Sequence, residues 1–234
     1  MAQSARLTDY VILAGEPNSF NFGKGVYLGS FTSISGGDIG THNTYYDGFG
    51  ISHPGNVDYS GLPSFPPISN PDSHGSGKIE YNTTIGPGAY GSVKLKNNKT
   101  LTFDGPGDYT FRKIDQKGSV AAFVFDIKNQ PGEMRLYVHE EVDLKKLEVS
   151  IVGGGDASRI ILEIHENGDA FEIEGGSCGG GVSSGWKGTI WAPYGEIRFK
   201  SSAELEGAMY SGVKVRTEYK GVFTKVWGVF GSVH

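Results

Sequence analysis

Cysteine is almost absent. Cys178 is the single thiol in the chain, so no disulfide forms within it, and the fold rests on burial and hydrogen bonding. Within Gly-Gly-Ser-Cys-Gly-Gly-Gly it reads as a small turn residue, with a nucleophile or an intermolecular bridge as the alternative. Long apolar runs are missing too. No stretch approaches the roughly 18 apolar residues that a membrane-spanning helix requires. The opening MAQSARLTDYVILAGEP has no basic lead and only a short apolar run, so it is not expected to be a signal peptide. Two expectations follow: a protein that stays inside the cell, or one whose leader lies outside this sequence. Long amphipathic helices are also lacking. Glu140–Lys146 is the best local helix candidate, but Val142 and Leu144 fit a strand equally well. A basic excess is absent: 21 Lys and Arg against 26 Asp and Glu give −5. That balance counts against nucleic acid as the main partner.

Metal and catalytic signatures are equally sparse. His42, His53 and His74 are too widely and unevenly spaced for a zinc motif. Asp47, Asp58 and Asp72 are scattered and make no calcium loop. Gly153–Gly155 and Gly179–Gly181 lack the lysine and helix of a phosphate loop. No cofactor, metal ligand or catalytic residue is assigned.

What is abundant is glycine, 37 residues with no collagen-like period, at roughly twice ordinary usage. Val, Ile, Tyr, Phe and Thr accompany it, a mixture suited to many short strands and turns. The most informative stretch is Trp186–Tyr219. Ile197 and Phe199 alternate with Glu196, Arg198 and Lys200, and Val213, Val215 and Thr217 alternate with Lys214, Arg216 and Glu218. Laying Lys214–Glu218 over Glu196–Lys200 places Ile197 beside Val215, Glu196 beside Lys214, Arg198 beside Arg216 and Lys200 beside Glu218. Apolar positions then meet apolar ones and two of three outward pairs are opposite charges, as parallel strands stacked in register demand. The pattern predicts an all-β, right-handed parallel β-helix, a β-solenoid, formed by residues 1–234 as one domain. Residues 41–77 break the pattern with five of the ten prolines and are expected to form one long irregular excursion. The apolar run Val120–Phe125 suggests a strand buried on both faces, beneath that excursion. Residues 220–234 are expected to cap the last coil.

The run from Val93 to Val226 resembles a family of bacterial β-solenoid domains of uncharacterised function, found downstream of pilus-assembly (PilX-type) N-termini and in related surface proteins. The residues that carry the likeness are Leu101-Thr102-Phe103, Gly107-Asp108-Tyr109-Thr110-Phe111, Arg135-Leu136-Tyr137-Val138-His139 and Gly188-Thr189-Ile190-Trp191-Ala192-Pro193, followed by Gly207-Ala208-Met209-Tyr210 and Val213. The resemblance implies a non-catalytic module at the cell surface or outside the cell. Its role would be pilus-associated, minor-pilin-like or filament-forming, with pilin partners or self-association through the solenoid ends. A membrane link would require a pilin-type helix that this sequence does not contain.

The residues themselves keep other readings open. Tyr45, Tyr46, Phe49, Tyr59, Trp186 and Trp191 suit stacking on sugar rings or a protein partner, or else the core. Arg198 and Arg216 form the one basic cluster, able to pair with an anionic glycan or to be neutralised by Glu196, Glu204 and Glu218. A carbohydrate-binding or carbohydrate-cleaving β-helix is therefore the second expectation, and a DNA-contacting solenoid the third. Ice binding calls for flat ranks of threonine on one face, and Thr100, Thr102 and Thr110 do not form one in the sequence.

Overall fold

A computed structural model describes residues 5–15, 24–96, 98–116, 120–175 and 184–226. Cys178 and the C-terminal part of the expected cap lie outside these residues. Every strand pairing between the named strands is parallel, and the coils build three faces. On the first face the strands Gly88–Val93, Gly107–Gln116, Met134–Val138, Ile160–Ile164, Gly185–Ala192 and Glu204–Ser211 follow one another. On the second run Val142–Lys145, Asp169–Glu174, Glu196–Lys200 and Lys214–Thr217. The third holds two stacks. One is Thr83–Ile85, Lys99–Asp104, Ala121–Asp126 and Leu147–Val152. The other joins the leading halves of Gly185–Ala192 and Glu204–Ser211 to Val222–Thr224 and Ser33–Ser35. The expected parallel β-solenoid is what the chain forms. The register expected for the last two strands of the second face also holds, with Glu196 opposite Lys214 and Arg198 opposite Arg216.

Stacking order differs from chain order. Tyr10–Ala14 pairs with Glu204–Ser211 on one side and with Asp38–Thr41 on the other. The N-terminal coils thus continue the solenoid beyond its C-terminal ones. Val222–Thr224 lies between Glu204–Glu206 and Ser33–Ser35, so the described part of residues 220–234 is an interior strand and not a cap. This arrangement obliges the chain to travel back along the body before Lys78–Ile79 can start the opposite end. Residues 59–77 do this. Leu62 lies by Gly40, Phe65 stacks on Trp191, Ser69 meets Glu163 and Gly75 reaches Tyr90. The excursion is therefore shorter than expected, because Thr44–Asp47 and Val57–Asp58 pair as ordinary strands. It forms a strap across the first face.

Side-chain alternation explains the core. Leu101, Phe103, Phe123 and Phe125 point inward with no exposed surface, and Phe103 stacks on Phe125 at 4.6 Å. Trp186 joins this cluster edge-on to Phe125 and Phe171. Glycine is required where one strand turns from the third face to the first. Gly188 and Gly207 stand opposite one another with φ of +127° and +155°, and a Cβ on Gly207 would lie 2.1 Å from the Gly188 carbonyl oxygen. The helix candidate at Glu140–Lys146 is a strand, Val142–Lys145. Val120–Phe125 is not covered by the strap: Ala122 and Val124 face outward on the third face.

Candidate functional surface

The three faces differ in chemistry. The second carries a charged lattice. Arg198 reaches Asp169 at 3.0 Å, Glu172 at 3.2 Å and Glu196 at 3.3 Å. Lys200 pairs with Glu172 at 2.5 Å, Lys214 with Glu196 at 3.0 Å and Lys145 with Glu174 at 2.6 Å. Strand register produces these contacts, since outward positions of neighbouring coils stand about 4.8 Å apart. One column of this face continues from Arg198 through Arg216 and Tyr27 to Tyr46. Tyr27, which the sequence does not single out, links the predicted Arg216 and Tyr46, and its ring lies 6.4 Å from that of Tyr46.

The other predicted residues do not join this column. Tyr45 turns inward beside His53, its phenol pushed up to about 12 by burial and then by Asp47 and Tyr59. Phe49 and Tyr219 both meet Phe31 edge-on at a corner of the solenoid. Tyr59 is exposed at the start of the strap. Trp186 and Trp191 are both buried, one inside the coils and the other beneath the strap.

The first face is closed by that strap. Its outward column runs Tyr137, Glu163, Trp191, Tyr210 and Leu13, all buried. Glu163 is the latch. It accepts hydrogen bonds from the Ser69 backbone N–H at 2.8 Å, the Ser69 hydroxyl at 2.7 Å and His165 Nε2 at 2.9 Å. Burial pushes this carboxyl up, but the bonds from His165 and Ser69 outweigh it and hold the pKa below its ordinary value.

The third face is uncharged only along one part of its longer stack; Glu148 in that stack and Lys187, Glu204 and Glu206 in the shorter one also face outward. In its longer stack Lys99–Asp104, Ala121–Asp126 and Leu147–Val152 pair along their whole length with no shift of register. The outward positions form a rank Thr84, Thr102, Val124 and Ser150, with Thr100, Ala122 and the exposed Glu148 in the column beside it. Each is short, so the rank is flat, and the β-branched Thr84, Thr102 and Val124 are stiff at χ1. Asp104, Asp126 and Lys128 edge it, Lys128 bridging both carboxylates at 2.7 and 3.2 Å. In the shorter stack Val222 and Thr224 stand between Ser33 and Ser35 on one side and Glu204 and Glu206 on the other. Of the three threonines singled out in the sequence, Thr102 alone lies in the rank, Thr100 standing in the column beside it. Thr110 is buried on the first face.

The structure of this chain is similar to solved structures of ice-binding proteins. One from an Antarctic biological consortium is 19% identical with a TM-score of 0.45, covering 93% of this chain and 87% of that one. The domain of Shewanella frigidimarina ice-binding protein 1 is 17% identical with a TM-score of 0.49, covering 94% and 95%. An ice-binding protein from an Arctic yeast is 16% identical with a TM-score of 0.40, covering 97% and 95%. No curated protein matches the chain. The pilus-associated, filament-forming, carbohydrate and DNA expectations find no counterpart among these neighbours. Two observations stand against the carbohydrate reading: Arg198 is occupied by three carboxylates, and both predicted tryptophans are buried. Among the described residues no helix is long and apolar enough to cross a membrane. A family model described as a domain of unknown function, DUF7305, matches residues 69–224, and the chain belongs to that family.

Proposed function

We propose that the chain is a non-catalytic adsorption module that acts outside the cell and binds ordered water, the surface of ice, through the uncharged array of the third face. The register of that array carries the reading. Thr84, Thr102, Val124 and Ser150 occupy equivalent outward positions on four consecutive strands. Parallel strands set them about 4.8 Å apart, and Thr100 and Thr102 stand about 6.6 Å apart along their strand. Methyl and hydroxyl groups at fixed spacing can hold water in a repeating pattern. Long charged side chains cannot, because each would have to give up about 1.5–2 kcal/mol of rotamer freedom to lie flat. The inward Phe103 and Phe125 stiffen the sheet from behind. The reading rests on this surface and not on the likeness of fold.

Growing ice slowly from a dilute solution of the purified chain tests it. The protein is expected to concentrate in the ice fraction and to slow recrystallisation of small ice grains. Exclusion from the ice to the same degree as an inert protein of equal size contradicts the proposal.

A further inference from the structure

Between the strap and the first face lies a cavity of about 270 Å³ that plays no part in the adsorption array. Three successive coils make its floor: Arg135 and Tyr137, then Ile161 and Glu163, then Trp191. The strap makes its roof with Phe65, Pro66, Pro67 and Ser69, and Leu7 adds an apolar wall. Phe65 lies flat on Trp191, the ring centroids 5.2 Å apart and the planes 15° from parallel. The walls are therefore apolar and largely aromatic, and apolar cavities of about 150 Å³ already hold a benzene ring. This one has room for a substituted or fused ring.

Its polar groups are few and unequal. Glu163 is spent on Ser69 and His165 and offers little to a ligand. The Trp191 indole N–H is buried and without a hydrogen-bond partner among the described residues. Arg135 stands half exposed; its Nε and Nη2 share a single oxygen of Glu133, and Tyr137 is its other side-chain hydrogen-bond partner, which leaves part of its five N–H groups over. A planar guanidinium with capacity left over at an apolar cavity suits a carboxylate.

We infer that this cavity binds a small aromatic carboxylate, with the ring between the strap and Ile161 and the carboxylate on Arg135. The site is independent of the ice-binding reading and stands or falls without it. The probe is 2-naphthoate, titrated into ¹⁵N-labelled protein while the indole N–H signals are followed. The full chain has three tryptophans, and Trp191→Phe assigns the signal in question. A saturable shift of the Trp191 signal is expected. The affinity should fall at least about tenfold in Arg135→Met, a change of about 1.4 kcal/mol, and in Ile161→Phe, which fills the floor, binding should be lost. Naphthalene-2-carboxamide should bind the native chain at least about tenfold more weakly than the acid. Arg135 is exposed enough for its variant to keep the fold, and the remaining indole signals check this. Absence of a saturable shift, or an affinity unchanged in Arg135→Met, overturns the assignment.

Discussion

The charged lattice of the second face and the uncharged rank of the third lie on different coils but follow the same alternation, and they present opposite surfaces. On the second, outward positions carry long charged side chains, and stacking turns them into a lattice in which Arg198 serves three carboxylates. On the third, one outward column of the longer stack carries Thr84, Thr102, Val124 and Ser150. The backbone is common to both, so the difference lies in side-chain length and charge alone. A solenoid fixes where outward groups sit and leaves their chemistry free. One face can be spent on solubility and another on recognition.

The comparison breaks most severely from beneath. Phe103→Ala removes a fully buried ring that backs the uncharged array, and is expected to cost about 3–5 kcal/mol. Chemical denaturation measures this, and the array should lose its adsorption with its rigidity. Arg198→Met on the charged face leaves Asp169, Glu172 and Glu196 facing one another, for a loss of about 2 kcal/mol. Added salt should shrink that loss, and adsorption of the folded protein should be unchanged.

These two residues also show how much was legible in the sequence. The charged face could be read because Ile197 and Val215, like Arg198 and Arg216, are separated by one short coil, and a single shift aligns both pairs. The uncharged rank could not, because the separation between its members grows from each coil to the next, from Thr84 through Thr102 and Val124 to Ser150. Coil length varies there with the turns, and no fixed shift aligns Thr84 with Ser150. Stacking of the N-terminal coils beyond the C-terminal ones was hidden for a related reason. Tyr10–Ala14 pairs with Met209–Ser211, from the other end of the chain, and nothing local encodes that choice. The proline-rich stretch was legible as irregular. Its path along the first face follows only from the stacking order. Trp191 was singled out for its ring, but the ring is covered by Phe65, a tertiary contact that no local pattern shows.

The strapped face sharpens the comparison by a third case. Glu163→Gln removes the charge that holds Ser69 and is expected to cost about 1–2 kcal/mol, with faster proteolysis within residues 59–77. The carboxyl is held below its ordinary pKa of 4.5 in the fold. Its contribution is thus full above that value and is lost as pH falls through the folded pKa. The native chain should loosen its strap in that acid range, whereas the variant should show a flatter pH profile in thermal melts.

The smallest effect on stability belongs to the surface that matters most. Thr102→Lys with Val124→Lys places two long charged side chains on the uncharged rank, and should change stability by about 0.5 kcal/mol or less per site. Partition into slowly grown ice, measured for this double variant beside Arg198→Met, tests the role of the third face most directly. The lysine variant is expected to be excluded from ice while the Arg198 variant enters it like the native chain. Equal uptake of the two variants would contradict that role.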